Sequence, residues 1–355
     1  MTLYIFNPEH DLALASNLRN FTPPHAARAL RTEMGYLPAL WAEPGDKVLV
    51  ADRDYSAKAL KKFQGRMKRA GLQFSLQVEF VTMSDLPTLP ITDVHPWGWD
   101  PSVCHTLIRH GVSQHLMPNL DQIDVIRMLS HRSTSARLLA QLQTYGTTGW
   151  ATSINRMEQL DTILLTHPQL VIKAPWSSSG RGVRFINGTI NLQTSGWIKN
   201  IVKNQGNLMV EPYYNKVKDF GMEFFSWGDG RIDFCGLSLF KTVNGEYNGN
   251  ILATEHWKTE KLSRYISVEL LNIVKSKVCA VLGPLFNGKY KGCFGLDMMI
   301  VKNDVHSSGG FLLHPCVEIN LRRTMGHAAL CLSPVDDDIR RTMRIANYEL
   351  RITKD

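Results

Sequence analysis

The chain has 355 residues, 44% of them hydrophobic, with 40 Lys and Arg against 32 Asp and Glu, a net charge of +8 and a pI of about 9.1. That length suits two or three domains with sizeable cores, and no apolar run of about 18 residues suggests a membrane span. The basic residues are spread along the chain, and their densest cluster, "KALKKFQGRMKR" at 58–69, has the spacing of a solvated helix face. No RNP, zinc-finger or aromatic-basic pattern accompanies it, so nucleic acid is not an expected partner.

In chain order, residues 2–6 read as an apolar strand that stops at "NPEHD". There is no basic stretch followed by a long apolar run, so this start reads as a strand and not as a leader. A helix is expected over 24–34, a strand at "KVLVA" (47–51), a helix over 55–70, a strand in "FSLQVEFVT" and another ending near His95. Strands alternating with helices predict a parallel α/β layer over 1–115. Ligands of such sheets lie beyond the carboxyl ends of the strands. That position would hold Asn7, Glu9, His10 and Asp11, and also Trp97, Trp99 and Asp100.

Helices are expected over 121–130 and 133–144. Further strands are expected at "LVIKA", "LMVEPYY", "FGMEFFSW", "RIDFCGLSLF", "KGCFGLDMMIV" and "GFLLHPCVEIN", with "GDG" as a hairpin turn. Lys261 to Leu282 carries apolar residues at 270, 271, 274, 278, 281 and 282, as an amphipathic helix does. The second half is therefore expected to be α+β. The six cysteines, Cys104, Cys235, Cys279, Cys293, Cys316 and Cys331, form no CxxC pair and read as reduced core thiols of a cytoplasmic protein. His105, His110 and His115 are five apart, which is wrong for one helical face, and suggest no metal site.

The chemistry concentrates in "VIKAPWSSSGRGV" (171–183) and in the strands C-terminal to it. Gly and Ser at 177–182 leave backbone N–H groups unobstructed, as in a nest that binds phosphate oxygens. Lys173, at a strand end, can reach a phosphate as a point charge. The order of residues is not that of a Walker A loop, nor of G-x-G-x-x-G. In "LMVEPYY", Glu211 ends an apolar strand and aromatics come next, a pattern suited to reading an adenine edge; Asp219 is placed to hold ribose hydroxyls. Asp297 lies on one later strand, and Glu318 and Asn320 lie two apart on the next, hence on one face. Three oxygen ligands suit Mg²⁺, which keeps positions for phosphate oxygens. Arg322 continues that face and can stabilise charge on a transferring group.

This ordered set resembles the ATP-grasp superfamily over roughly residues 120–330. The resemblance implies an N-terminal parallel α/β domain (1–115) on the substrate side, then an ATP-grasp fold of two α+β subdomains (116–207 and 208–355). It implies ATP binding by Lys173, by a phosphate-covering loop of Ser178, Ser179, Gly180, Arg181 and Gly182, and by a hinge of Glu211, Pro212 and Tyr213. Asp219 would be the ribose acid, with Glu223 as the competing assignment. Asp297, Glu318 and Asn320 would hold Mg²⁺, with Mn²⁺ as the alternative ion. Arg322 and Lys173 would be catalytic. Many members carry an Asp-Lys pair where this chain has His131 and Arg132, and Arg132 can supply the charge. Amino-acid-type ligases often carry an Arg where this chain has Gly295. The activity implied is ATP-dependent ligation of a small carboxylate to an amine or thiol through an acyl-phosphate. An ATP-binding regulator without turnover and a small-molecule kinase are the alternatives. "SLFKTVNGEYNGN" reads either as a loop closing over the site or as an ordinary hairpin. The identity of the substrates and the oligomeric state are left open.

Overall fold

The computed structural model describes residues 1–72, 78–177, 182–243, 246–303 and 310–354. The first layer is a parallel sheet in the order β3-β2-β1-β4, from β1 (Thr2–Ile5), β2 (Lys47–Leu49), β3 (Glu79–Val81) and β4 (Asp93–Pro96). Its helices are α1 (His10–Ser16), α2 (His25–Glu33), α3 (Arg53–Arg69) and α4 (Pro101–Arg109). Asp52 caps α3 by accepting from Tyr55 N–H, and Asp100 caps α4 by accepting from Ser102 and Val103 N–H. The strand expected in "FSLQVEFVT" is present only as β3; residues 73–77 lie outside the described residues.

Two helices come next, α5 (Leu120–Leu129) and α6 (Arg132–Leu142). The expected boundary at 116 groups them with the next sheet, but α6 packs mainly on the strand Phe311–Asn320 of the large C-terminal sheet, with lesser contacts to the next sheet at Thr152–Ile154 and just beyond Lys173. Leu138, Leu139 and Leu142 join the core of the large C-terminal sheet, and Ser135 Oγ accepts from Ile319 N–H at 3.0 Å. The second sheet has the order β5-β8-β6-β7. Its strands are β5 (Thr152–Ile154), β6 (Gln169–Lys173), β7 (Val183–Asn187) and β8 (Leu208–Pro212), with α7 (Met157–Thr166) and α8 (Leu192–Gln205) over a separate apolar core. β8 pairs with both β5 and β6. The expected division at 207/208 is therefore corrected: this unit ends after Pro212, because β8 finds its backbone partners here.

The third sheet is antiparallel, in the order β13-β12-β9-β10-β11-β14-β15. It is built from β9 (Lys216–Ser226), β10 (Ile232–Val243), β11 (Glu246–Leu252), β12 (Gly292–Lys302), β13 (Phe311–Asn320), β14 (Arg341–Ala346) and β15 (Glu349–Lys354). The single helix expected over 261–282 is two, α9 (Glu255–Ser263) and α10 (Val268–Phe286), because Ser267 caps a fresh start by accepting from Leu270 N–H. The 241–250 segment is the β10–β11 hairpin; Asn244 and Gly245 lie outside the described residues. A last short helix, α11 (Met325–Cys331), covers β9, β10 and β11.

Strand alternation sorts this sheet's two faces. Phe220, Met222 and Phe224 of β9 and Phe294, Leu296 and Met298 of β12 are all buried, with Phe286 of α10 packed on Phe294. The opposite face carries Asp219, Glu223 and Asp297. Among the described residues no helix is long and apolar enough to cross a membrane.

Candidate active site

Lys173 and Glu211 come from neighbouring strands. Glu211 is the Cα partner of Val171, so Lys173, two residues on, projects from the same face. The two side chains form a direct ion pair, and each is about 10% exposed. Tyr213 is exposed and packs edge-on against Phe185, at 5.9 Å between ring centroids. Gly182 sits at the mouth of β7, where its carbonyl accepts from Ala174 N–H at 2.8 Å. A Cβ there would lie 2.2 Å from Ser177 Oγ, so only glycine allows the chain to fold back on the strand end. Ser178, Ser179, Gly180 and Arg181 lie outside the described residues.

The acids converge from the third sheet. Asp297 and Glu318 are cross-strand partners on β12 and β13, and Asn320 Nδ2 donates to Asp297 Oδ2 at 3.1 Å. Burial pushes the Asp297 carboxyl up, the negative charges of Glu318 and Glu223 push it further, and it reaches about 7. Arg132, the first residue of α6, spans the cleft. Its guanidinium donates to the Ala174 carbonyl, to Ser177 Oγ at 2.8 Å and to both oxygens of Glu318 at 2.8 and 2.9 Å. One side chain thus ties the Lys173 strand end to the acid cluster. The preceding residue, His131, caps α6 by accepting from Ser133 N–H at 3.0 Å. Burial, then the charges of Arg127 and Arg137, hold its ring down at about 4, which keeps the ring neutral.

Arg322 faces the same cluster. Its Nη2 donates to Asn320 Oδ1 at 3.0 Å, and its Nε and Nη2 grip Asp11 of α1 at 2.9–3.1 Å. Burial pushes the Asp11 carboxyl up, but the Arg322 charge and hydrogen bonds outweigh this and hold it below the usual range. The N-terminal sheet thereby reaches the site. Asn7 Nδ2 donates to the Gly98 carbonyl at 2.8 Å and to Asp100 Oδ2 at 2.9 Å, joining the carboxyl ends of β1 and β4.

The two acids offered for ribose differ in access. Asp219 accepts from Lys216 Nζ at 2.6 Å and Thr242 Oγ1 at 2.7 Å and stays partly exposed. Glu223 is 3% exposed, accepting from Thr324 Oγ1 at 2.8 Å with His327 Nδ1 at 3.0 Å. It is sealed beneath the start of α11. This also explains Gly295. A Cβ there would meet Glu223 Oε2 at 2.6 Å and Thr324 Cγ2 at 2.7 Å, so no longer side chain fits at 295 beside this Glu.

Sequence reasoning missed His314. It is fully buried on β13, its ring packs 5.3 Å from that of Tyr214, and neither ring nitrogen has a hydrogen-bond partner. Burial, then the charge of Lys173, holds it down at about 3. Gly149, at φ +120°, lies against its edge, with a Cβ position 2.5 Å from Cδ2. A lone histidine inside an apolar strand carried no signal beyond its polarity.

Among the described residues no three His, Cys, Asp or Glu side chains form a metal cluster. The donor set is smaller: two carboxylates and one amide. These are hard oxygen donors of the kind Mg²⁺ takes in small number, leaving the rest of its shell to water and phosphate. Asp297 and Glu318, facing each other with Asp297 pushed up by burial and then by the like charges of Glu318 and Glu223, fit such an ion. In this state Glu318 is held by Arg132 and the Asn320 oxygen by Arg322.

Lys173 and Glu211 on one sheet thus lie across a cleft from the Asp297–Glu318 pair on another, with Arg132 spanning the two. The chain has the ATP-grasp fold. It is similar to biotin carboxylase from Campylobacter jejuni, solved as a complex with a β,γ-ATP compound: TM-score 0.51, 11% identity, 97% of this chain and 75% of that one covered. It is also similar to Rhizobium etli pyruvate carboxylase (T882A, with acetyl coenzyme A), at TM-score 0.51 and 12% identity, covering 97% of this chain and 30% of that one. N5-carboxyaminoimidazole synthetase from Staphylococcus aureus matches at TM-score 0.49 and 13% identity, over 97% of this chain and 81% of that one. No family model and no curated protein matches the chain by sequence.

Proposed function

We propose that this protein is an ATP-dependent ligase that joins a carboxylate to an amine, or to a thiol, through an acyl-phosphate, releasing ADP and phosphate. The observation that carries this reading is the bridge of Arg132 from the Lys173 strand end to Glu318. It draws a phosphate-type lysine and a two-carboxylate cluster to one cleft, with Arg322 beside them. In phosphoryl transfer, positioning and charge neutralisation supply most of the catalysis.

Lys173, Arg132 and the 178–182 loop hold the phosphates, and Glu211, Pro212 and Tyr213 read the base. Asp219 holds the ribose, since Glu223 has no oxygen open to the cleft. Asp297, Glu318 and Asn320 would hold Mg²⁺, which would supply neutralisation of phosphate charge. The substrate carboxylate oxygen attacks the γ-phosphorus as the bond to ADP breaks. Arg322, fixed by Asp11, steadies the acyl-phosphate. The amine then attacks the acyl carbon, phosphate leaves, and the amine proton passes to solvent.

The test is product analysis with Mg·ATP and pooled carboxylic acids, with and without hydroxylamine. Acid-dependent ADP, phosphate and hydroxamate are expected. AMP and pyrophosphate would overturn the mechanism. A stable phosphorylated product would make the protein a kinase, and tight Mg·ATP binding without turnover would make it a regulator.

A further inference from the structure

A cavity of about 490 Å³ opens between the carboxyl end of β4 and two turns of the large sheet, the β9–β10 turn and the α10–β12 turn. It is not the nucleotide cleft. Its floor includes Phe225 and Cys293, cross-strand partners on the same sheet face as Asp297. Cys293 is four residues from Asp297, hence about 13 Å along the strand. The row between is filled by Glu223 and Thr324.

The lining combines rings with unbalanced positive charge. Trp97, Trp99 and Trp227 form walls, and Arg323, Lys289 and Lys291 line the rim. Among the described residues none of these three cations has a carboxylate partner; Lys289 and Lys291 are exposed, and the Arg323 guanidinium lies over the Trp41 ring at 4.4 Å. The lining holds one acid, Asp93, and it already lies 2.8 Å from His95 Nε2. The rim is built in advance. Gly288 N–H donates to the Gly228 carbonyl at 2.8 Å, which ties the two turns together. Tyr290 is buried against Phe286, its carbonyl accepting from Ser226 Oγ at 2.8 Å, so Lys289 and Lys291 flank a fixed point. Trp97 is held edge-on by Phe6 at 5.1 Å, and its carbonyl accepts from Arg323 N–H at 2.8 Å. With no carboxylate to balance them, these rim charges are met by water, which an anion seated against the rings can replace.

We propose that this cavity is a binding site for a compact anion carried on a flat ring, an aryl phosphate or aryl carboxylate, separate from the nucleotide site. The volume suits a ligand of that size. The indoles take the ring, and Arg323, with the two lysines, takes the anion. The proposal stands apart from the ligase reading, because it concerns binding at groups that the ligation chemistry does not use.

The test is titration calorimetry and tryptophan fluorescence on the full chain, with Mg·ADP at saturation so that the nucleotide cleft is blocked. Phenyl phosphate is the probe. Inorganic phosphate supplies the charge without the ring, and benzyl alcohol the ring without the charge. Phenyl phosphate is expected to bind one to one, at least tenfold tighter than either. Lys289→Ser with Lys291→Ser, both exposed positions, should weaken it at least tenfold and leave Mg·ADP affinity within twofold. No binding of phenyl phosphate, equal binding of all three probes, or unchanged binding in the double variant would each overturn the proposal.

Discussion

Lys173 and Glu211 offer a test that separates structure from function. The pair is buried, each side chain about 10% exposed, inside a sheet whose apolar core is small. Removing one partner strands the other charge in a poorly solvated place. For a buried pair that costs about 3–5 kcal/mol, whereas replacing both partners by apolar groups of similar size is close to neutral. Lys173→Met and Glu211→Met are therefore each expected to destabilise this unit by about 3–5 kcal/mol, and the double variant by no more than about 1 kcal/mol. The readout is hydrogen exchange of peptides covering 169–173 and 208–212, because a chain with several cores does not unfold as one two-state unit. Each single variant should lose protection by about 140- to 3,700-fold, at one decade per 1.4 kcal/mol, and the double variant should regain most of it. Mg·ATP affinity should be lost in all three. Singles that lose no protection, or a double variant that loses the sum, would refute the buried-pair reasoning. A double variant that still binds Mg·ATP normally would refute the nucleotide role of both residues.

Other expectations are independent of that pair. Glu318→Gln should abolish ADP formation by at least 100-fold and remove the Mg²⁺ dependence of nucleotide binding, measured by calorimetry with and without EDTA; retained Mg²⁺ dependence would move the metal elsewhere. Gly326→Ala would put a Cβ 1.8 Å from Glu223 Oε1, a clash in a buried site that should cost about 1–3 kcal/mol and lower the melting temperature. His314 governs a pH response. Its ring is held down at about 3 in the fold, against about 6.5 when unfolded, so below pH 6.5 the unfolded chain gains a proton that the fold excludes. Its contribution to stability is intact above pH 6.5 and falls by about 1.4 kcal/mol per pH unit toward pH 3. His314→Leu should flatten the pH dependence of hydrogen-exchange protection in peptides covering 311–320 between pH 6.5 and 5, relative to the parent chain and corrected for intrinsic exchange; an unchanged slope would show that His314 is not the group responsible. Asp11→Asn should raise KM for the carboxylate substrate more than that for ATP, because it frees Arg322 and leaves Lys173 and Glu211 in place.

Much of the site was legible because strands have a period of two. Glu318 and Asn320 had to share a face, and Lys173 and Glu211 had to end their strands, before any neighbour was known. The parallel N-terminal sheet was equally visible, since apolar runs alternated there with helical patterns. Errors arose where local pattern gave no warning. The apolar pattern read over 261–282 begins only at 270, in a separate helix capped by Ser267, and β8 looked like the start of a new unit until its partners were known. Residues 321–355 had no reading beyond the site motif, and they supply α11, whose start covers Glu223, and β14 and β15, which extend the sheet beyond β11.

Residue order alone settles which side-chain types are available and which side of its strand each occupies, because both are set by bond geometry within a few residues. Which of them meet is decided by the folding of distant segments onto one another. Arg132 reaches Glu318 across 186 residues and Arg322 reaches Asp11 across 311. Glu223, which by sequence was the competing assignment to Asp219, is shut away by a helix start a hundred residues later. Such contacts depend on which strands and helices pair over long separations, and nothing in a residue's immediate neighbours encodes that choice.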